Sequence, residues 1–247
     1  MTLYVFGDSF ATAEMLEKHF ERKWSVLLSK KLGVELKNYG MNGTSLEYTY
    51  YKFNEICKNL KEDDAVVIVL TDLLRKWIIK DKPNTSSLSH IEIHDLPTKL
   101  KKYAQWYFVN VLNSEIEEVH LLNFLYAVIA TTSHLKIKPL FISAFDKVSR
   151  GKWVVDVNKI DHSYINNFAI GSLWEVSSYE ITHQDAGSAV RTNLKKEFRP
   201  NHLSDVQHPI LADKILNYMH NGVTVDLTTG FVKNIYEKQD LIDKGIL

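Results

Sequence analysis

The sequence predicts a three-layer α/β/α domain with a flavodoxin-like parallel sheet of about five strands. Apolar strands alternate with helical segments along the chain, an order typical of a parallel sheet covered by helices on both faces. Residues 65–70 read Ala-Val-Val-Ile-Val-Leu. That run is apolar on both faces of a strand and therefore indicates a central position in the sheet. We expect right-handed crossovers between the strands.

The remaining elements follow from periodicity and from residues that begin or end helices. Strands are predicted at residues 2–6, 34–39, 65–70 and 140–144, and a fifth is expected within residues 145–200. Helices are predicted near residues 24–32, 45–60, 100–112, 114–133, 170–179 and 209–220. Gly33 is expected just after the end of the first of these helices. Ser114 and Glu117 have the spacing of a capping box.

The chain is interpreted as a single domain over residues 1–247, with residues 221–247 as a C-terminal extension. No linker, internal repeat or low-complexity segment divides it. The extension contains two short β-prone runs, which predict a hairpin. Residues 79–97 form a long irregular connection, which we expect to be mobile and to border the functional site.

Composition limits the classes of function. Thirty Lys and Arg balance thirty Asp and Glu, so the net charge of zero argues against a nucleic-acid partner. Cys57 is the only cysteine, which excludes an internal disulfide. A strand beginning at residue 2 leaves no room for a signal peptide, and no apolar run is long enough to span a membrane. These features predict a cytoplasmic protein whose oligomeric state stays open.

Gly7-Asp8-Ser9 follows the first predicted strand directly. A turn of this composition exposes one hydroxyl at the carboxyl end of the sheet, where ligands bind in open α/β folds. Taken alone, this composition favours a plain turn over a functional one.

Asp205 and His208 precede the last predicted helix, which begins at Pro209. A serine hydroxyl needs a base to take its proton, and a carboxylate on the other imidazole nitrogen orients that base. Three residues of separation let the two side chains meet. Such a carboxylate should also raise the pKa of the imidazole above its reference value of about 6.5. The alternative is a pair of surface residues beside a helix start.

These blocks, in this order along the chain, resemble the SGNH or GDSL hydrolases. The resemblance implies Ser9 as nucleophile and Asp205 with His208 as acid and base. Residues 38–45, Asn-Tyr-Gly-Met-Asn-Gly-Thr-Ser, resemble the second block of the family. This second resemblance implies that Gly43 is the glycine of the oxyanion hole, and Gly40 is the alternative.

The third block departs from the family pattern of Gly-x-Asn-Asp. Thr71 stands about where the asparagine would be, and Asn42 or Arg75 are the other candidates for the missing oxyanion donor. Asp8 is grouped with these substrate-binding residues. An altered third block followed by arginine resembles the divergent SGNH-like proteins of tailed phages.

The resemblance implies a serine ester hydrolase that uses an acyl-serine intermediate and needs no metal or cofactor. An O-acetylated carbohydrate is the first expected substrate, with other small acyl esters as alternatives. The altered third block favours a second hypothesis, a non-catalytic module that binds a glycan or a protein within a phage particle. The expected location is the cytoplasm of a bacterial or phage-infected cell, or the phage particle.

Three further patterns have less weight. His90 and His94 have metal-ligand spacing, but their surroundings argue against a helix, so no metal is expected. Asp8 would repel a phosphate at the first strand, which disfavours a nucleotide-binding domain. Aromatic residues at 48, 50 and 51 suggest either a wall beside the site or the packing of a helix on the sheet.

Overall fold

The computed structural model describes residues 1–13, 20–73, 75–77, 98–111, 113–145, 147–150, 153–156, 167–178 and 203–233. Within these ranges the main sheet has five strands, and every neighbouring pair is parallel. Its strands are β1 (Thr2–Gly7), β2 (Glu35–Gly40), β3 (Ala65–Leu70), β4 (Leu140–Ser143) and β7 (Phe168–Ser172), in the order β2-β1-β3-β4-β7. The flavodoxin-like fold class is thereby confirmed.

Helices cover both faces of this sheet. They are α1 (Trp24–Leu32), α2 (Leu46–Ile56), α3 (Thr98–Asn110), α4 (Ser114–Ser133), α5 (Leu173–Ser178) and α6 (Gln207–Asn221). Two short 3₁₀ helices lie at Phe20–Arg22 and Cys57–Asn59. A separate antiparallel hairpin joins β5 (Lys147–Arg150) to β6 (Trp153–Asp156), in a part of the sequence where only one further strand was expected.

The strand β3 divides the core into two halves, as its uniformly apolar sequence predicts. Val67 and Val69 face one cluster, which includes residues of α1 and α6. Ile68 and Leu70 face the other cluster, which includes residues of α2 and α4. All six residues of β3 are buried, so this strand contributes to both layers of packing.

Three local predictions meet different outcomes. Gly33 ends α1 with a φ of 68°, as expected. The N-cap of α4 is Asn113, whose side chain accepts the backbone N–H of Glu115, so the capping box predicted at Ser114 is wrong. Helical spacing over residues 45–60 predicts a buried side formed by Tyr48, Tyr51, Ile56 and Leu60. Leu60 is buried, but the prediction is wrong at Tyr51, which is half exposed, and Phe53 is fully buried on α2 instead.

The tail is built into the core rather than lying apart from it. Val225, Leu227 and Phe231 are buried with the residues of α1 and α6. Asp226 forms a parallel bridge to Ile170 of β7, so the first predicted arm of the hairpin extends the sheet instead. The second predicted arm lies mostly outside the described residues.

The expected fifth strand is β7, which occupies the first part of the helix predicted at residues 170–179; α5 occupies the rest. The irregular connection at residues 79–97, with His90 and His94, lies outside the described residues. Among the helices that the structure describes, none combines the length and the apolar character that crossing a bilayer requires.

Candidate active site

The turn after β1 is fixed by close packing at its first residue. Gly7 has a φ of 138°, and a Cβ atom there would lie 2.5 Å from the carbonyl oxygen of Val69. Only glycine fits this position. The turn lies beside β3, at the point where the strand order reverses and ligands bind in folds of this kind. Ser9 is therefore held at the sheet edge where the sequence predicts a functional site.

Asp8 is fully buried beneath this turn, and both of its carboxylate oxygens accept hydrogen bonds. Oδ1 accepts the backbone N–H of Phe10 at 3.0 Å, and Oδ2 lies 2.9 Å from Nη1 of Arg75. Burial raises the pKa of Asp8, whereas Arg75, the Phe10 N–H and the Thr71 hydroxyl oppose that rise. This setting fits a structural role for Asp8, and its part in substrate binding stays a prediction.

The Thr71 hydroxyl belongs to the same network. Its single proton has two nearby acceptors, the carbonyl oxygen of Thr44 at 3.0 Å and Oδ2 of Asp8 at 3.1 Å. Its oxygen accepts Nη1 of Arg75 at 3.0 Å. A hydroxyl with one proton that is already shared inside the protein must leave these partners before it donates to an oxyanion. The oxyanion role of Thr71 therefore stays a prediction that this geometry does not favour.

Arg75 is itself buried, and its guanidinium lies over the ring of Phe145, with Cζ 5.2 Å from the ring centroid. One nitrogen, Nη1, serves both Asp8 and Thr71. The charge of Arg75 is thus directed at the buried carboxylate of the turn, and a direct contact with substrate stays a prediction.

The second block packs directly against the Ser9 turn. Asn38 donates to the carbonyl oxygen of Ala11 at 2.7 Å, and its Oδ1 accepts the backbone N–H of Gly40 at 2.8 Å. A Cβ atom at Gly40 would lie 2.8 Å from the backbone carbon of Ala11, so glycine is required for this approach. The end of β2 and the Ser9 turn consequently form one interlocked unit.

This arrangement distinguishes the two candidate oxyanion glycines. The N–H of Gly40 is already bonded to Asn38. Gly43 has a φ of 69°, and its N–H makes no hydrogen bond to any residue in the described part of the chain. Gly43 thus retains a backbone donor for a ligand, next to the partly buried Asn42. That agrees with the preference for Gly43 over Gly40 and leaves their role in catalysis a prediction.

His208 lies in the first turn of α6 and is nearly fully buried. Its Nδ1 accepts the backbone N–H of Trp24 at 3.3 Å. The indole Nε1 of the same tryptophan donates to the carbonyl oxygen of Phe10 at 2.8 Å. Trp24 therefore connects His208 to Phe10, the residue that follows Ser9.

The pKa of His208 moves opposite to the predicted direction. Its pKa is lowered to about 3, chiefly by burial and also by the positive charge of Lys23, while Asp205 raises the pKa by less. Asp205 is partly exposed, and its Oδ2 lies 2.7 Å from Nη1 of Arg22. The expectation that Asp205 raises the pKa of His208 above 6.5 is wrong, because the loss of hydration outweighs this solvated carboxylate.

The proton on the imidazole also differs from what a catalytic triad needs. Because Nδ1 accepts an N–H, the proton of the neutral ring is on Nε2. In a triad, Nδ1–H donates to the carboxylate and Nε2 accepts the serine proton. Among the described residues, the Ser9 hydroxyl has no hydrogen-bond partner. The structure brings the Ser9 turn and His208 onto Trp24, while the hydrogen bonds of a triad stay predicted.

A second buried charge network flanks this site and was not predicted. Lys76 is almost fully buried and forms ion pairs with Glu117 of α4 and with Glu47 of α2. The Oε1 of Glu47 lies 2.8 Å from Nζ. Burial lowers the pKa of Lys76, and Glu47 opposes that change. Lys76 therefore ties together the first turns of two helices.

Aromatic side chains lie next to this network. The ring of Trp77 is 5.3 Å from that of Tyr48 and 5.4 Å from that of Tyr51. Tyr50 instead packs on Phe124, inside the protein. Tyr48 and Tyr51 thus agree with an aromatic wall at the start of α2, and Tyr50 agrees with packing on the core. Within the described ranges, no group of three or more His, Cys, Asp or Glu could hold a metal ion.

Comparison with known proteins adds one distant likeness. No protein-family model matches the chain, and no curated protein matches it. A solved structure from Desulfitobacterium hafniense, provisionally described as a lipolytic protein of the G-D-S-L family, is similar over 57% of this chain and 58% of that one. The identity is 13% and the TM-score is 0.30. A similarity of this degree carries no weight for the activity of this chain.

Proposed function

We propose that this chain is a serine ester hydrolase in which Ser9 forms the acyl intermediate. One observation supports the proposal most directly. The Ser9 hydroxyl has no partner among the described residues, yet its turn is held by Asp8, Asn38 and Trp24. A hydroxyl that no other described group binds, on a turn fixed by hydrogen bonds, stays available to a substrate and to the base that a serine nucleophile needs.

The surroundings of Ser9 support the same chemistry. His208 is neutral at physiological pH, as a general base must be, and its pKa of about 3 makes the imidazole a weak base until a charged partner raises that pKa. The backbone N–H of Gly43 is available to a developing oxyanion. For His208 to accept the proton of Ser9, the imidazole proton must move from Nε2 to Nδ1. Nδ1 would then give up the N–H of Trp24, and Asp205 would leave Arg22 to receive Nδ1–H.

The expected substrate is an O-acetylated carbohydrate or another small acyl ester. Acyl transfer to water would proceed by attack of Ser9 Oγ on the ester carbonyl and loss of the alcohol. Water would then attack the acyl-serine and release the acid. No metal or cofactor enters these steps.

Covalent labelling tests the nucleophile. The full chain is treated with a fluorophosphonate probe, and the modified peptide is identified by mass spectrometry. We expect label on Ser9 and none in Ser9→Ala. Ser143→Ala is a matched control, since Ser143 is also buried at the carboxyl end of a strand and donates to Phe145. Labelling that survives Ser9→Ala contradicts the proposal.

Turnover is tested with short-chain aryl esters and acetylated sugars. Ser9→Ala and His208→Ala should each remove most of the activity, and the double variant should be little worse than either single one, because residues that act as a unit are not additive.

A non-catalytic glycan- or protein-binding module is the second candidate, and particular observations favour it. The Thr71 hydroxyl is committed to Thr44 and Asp8, and the Asp205 carboxylate is committed to Arg22. A binding module does not need these groups for catalysis. Absence of both labelling and turnover in a correctly folded wild type would favour this candidate.

A further inference from the structure

The start of α1 contacts both members of the predicted acid and base pair. Arg22, two residues before the helix, donates from Nη1 to Oδ2 of Asp205 at 2.7 Å. Trp24, the first residue of the helix, donates its backbone N–H to Nδ1 of His208 at 3.3 Å. The carboxylate and the imidazole, which a triad joins to each other, are thus each bonded to this stretch of chain instead. We call residues 22–24 the 22–24 segment.

The Trp24 contact has a structural reason. The N-cap of α1 is Lys23, whose side chain makes no capping hydrogen bond. The first N–H groups of a helix have no partner within the helix, and Trp24 is buried, so Nδ1 of His208 satisfies its N–H. In a triad the same nitrogen carries the proton that is donated to the carboxylate. The imidazole can therefore cap α1 or pair with Asp205, but it cannot do both.

The Arg22 contact is of a different kind, because water reaches it. The side chains of Arg22 and Asp205 are 62% and 40% exposed. Exposed ion pairs are weak, and salt screens them further. Arg22 therefore holds the Asp205 carboxylate only loosely, and a modest change in the segment or in the solution should release it.

Lys23 acts on the same imidazole through its charge. Burial lowers the pKa of His208 most, the positive charge of Lys23 lowers it as well, and Asp205 raises it. Among the described residues, Lys23 and Asp205 are the charged groups that act on the ring, and Arg22 acts on it through Asp205. All three residues of the 22–24 segment thus oppose an imidazole that is protonated and paired with Asp205.

We infer that Arg22 and Trp24 are positioning residues that keep Asp205 and His208 from pairing in the free protein, so that the two meet only after the 22–24 segment has released them. The inference rests on the proposed ester hydrolysis for its kinetic consequence. The state of the imidazole, in contrast, can be measured without turnover. The consequence for catalysis is a gain, because weakening the segment should increase activity.

Nitrogen NMR of the full chain with isotope-labelled histidine tests the imidazole directly. The shifts of Nδ1 and Nε2 report which nitrogen carries the proton, and comparison with His208→Gln assigns the signals. Wild type should carry the proton on Nε2. In Arg22→Gln, the released Asp205 should increase the population with the proton on Nδ1 by about two- to fivefold, the range expected for one exposed ion pair. The pKa of His208 should rise as well, because a nearby carboxylate favours the charged ring.

Two variants serve as matched controls. Lys31→Gln removes another exposed ion pair between α1 and α6, the one with Asp213, and should leave the imidazole of His208 unchanged. Arg22→Lys keeps the positive charge beside Asp205 and should resemble wild type. Circular dichroism confirms that each variant is folded.

Turnover of short-chain aryl esters tests the consequence for catalysis. Arg22→Gln should raise kcat/KM by about two- to fivefold, because a larger share of the protein has His208 paired with Asp205. Raising the salt concentration from about 0.05 M to about 0.5 M should increase kcat/KM of wild type and leave that of Arg22→Gln nearly unchanged, since salt screens the exposed pair. A contact that merely supported the fold would produce neither increase.

Two results would overturn the inference. One is an imidazole whose proton position and pKa are the same in Arg22→Gln as in wild type. The other is a folded, active Arg22→Gln whose kcat/KM does not exceed that of Lys31→Gln, because pairing of Asp205 with His208 would then not limit the reaction. If no protein turns over an ester but the imidazole of Arg22→Gln changes as stated, the proposed function fails and the positioning role of the segment stands.

Discussion

Arg75 and Lys76 are consecutive residues, yet they serve two different buried charge networks. Arg75 pairs with Asp8 under the Ser9 turn, and Lys76 pairs with Glu117 and Glu47 between two helices. Asp8 has no exposed surface, whereas the Glu47 side chain is 38% exposed. The Asp8 network is therefore shielded from water, whereas the Lys76 network is partly exposed to water through Glu47.

The two networks also differ in how fully their polar atoms are bonded. Both oxygens of Asp8 have donors, whereas Oε2 of Glu47 is buried without a hydrogen-bond partner in the described part of the chain. A buried ion pair whose polar atoms are all hydrogen-bonded holds its side chains in one geometry. A partly exposed network with an unbonded acceptor allows its side chains to rearrange. We infer that the Asp8 network sets the position of Ser9 and that the Lys76 network mainly stabilises helix packing.

The largest effect should come from Arg75→Met. It leaves the Asp8 carboxylate buried without its cation, and breaking such a pair typically costs about 3–5 kcal/mol. Urea denaturation of wild type and variant measures the loss. Adding Asp8→Asn should recover part of it, because the buried charge is then removed. A loss below about 1 kcal/mol would mean that the pair does not stabilise the turn.

Lys76→Met should cost less, about 2–3 kcal/mol, although it also strands a buried carboxylate. The reason is that the half-exposed His120 lies beside Glu117, with Nδ1 3.7 Å from Oε2, so the imidazole can give that carboxylate a hydrogen-bond donor in place of Nζ. The same denaturation experiment measures the cost. His120→Ala in the Lys76→Met background should deepen the loss, and an unchanged value would rule out this compensation.

Folding stability should depend on pH through His208, which differs from both networks in being buried without a charge. Its pKa is lowered from 6.5 to about 3, so between these values the unfolded chain binds a proton that the folded one does not. The contribution of the neutral His208 to the free energy of unfolding is complete above pH 6.5. It declines as the pH falls below that value, by about 1.4 kcal/mol per pH unit.

Urea denaturation midpoints of wild type and His208→Gln, measured from pH 7 to pH 4.5, isolate the pH dependence of stability that is due to His208. Gln cannot titrate, so the difference between the two proteins should change with pH in the stated direction. Parallel curves would show that His208 keeps an ordinary pKa in the folded protein. The same low pKa predicts that kcat/KM changes little with pH from 6 to 8, if His208 is the base.

The smallest effect should follow Thr71→Val, which removes one of the donors around Asp8. We expect a loss of about 1 kcal/mol in stability, the usual value of one hydrogen bond. If Thr71 acts only within the network, kcat should be nearly unchanged. If it donates to the oxyanion instead, kcat should fall by roughly 10²–10³. Ester turnover and urea denaturation on the same samples separate the two roles.

What the sequence predicted well depends on local pattern. The apolar run of β3 indicated a central strand because a strand with two buried faces has no polar positions. Gly7-Asp8-Ser9 indicated a tight turn because these turn-forming residues follow a strand directly in the sequence. By contrast, the sequence predicts a buried Tyr51, and the structure exposes it, because one side of a helix is distinguished from another only by its neighbours in the fold.

The parts of the candidate site that could not be predicted depend on pairs far apart in the chain. Asp205 has the right spacing to orient His208, yet Arg22 lies against it in space. Trp24 has the composition of a core residue, and no signal in the sequence reports that its two N–H groups bond to Phe10 and His208. Glu117 matches a cap by spacing but pairs with Lys76.

The position of Trp24 has an optical consequence. Its indole is buried, and its two donors touch the carbonyl after Ser9 and the imidazole of His208. Fluorescence from a buried indole responds to nearby charge and to the arrival of water. Protonation of His208 or a shift of the Ser9 turn should therefore change the emission of this one residue. The chain thus contains its own spectroscopic reporter at the point where nucleophile and base would meet.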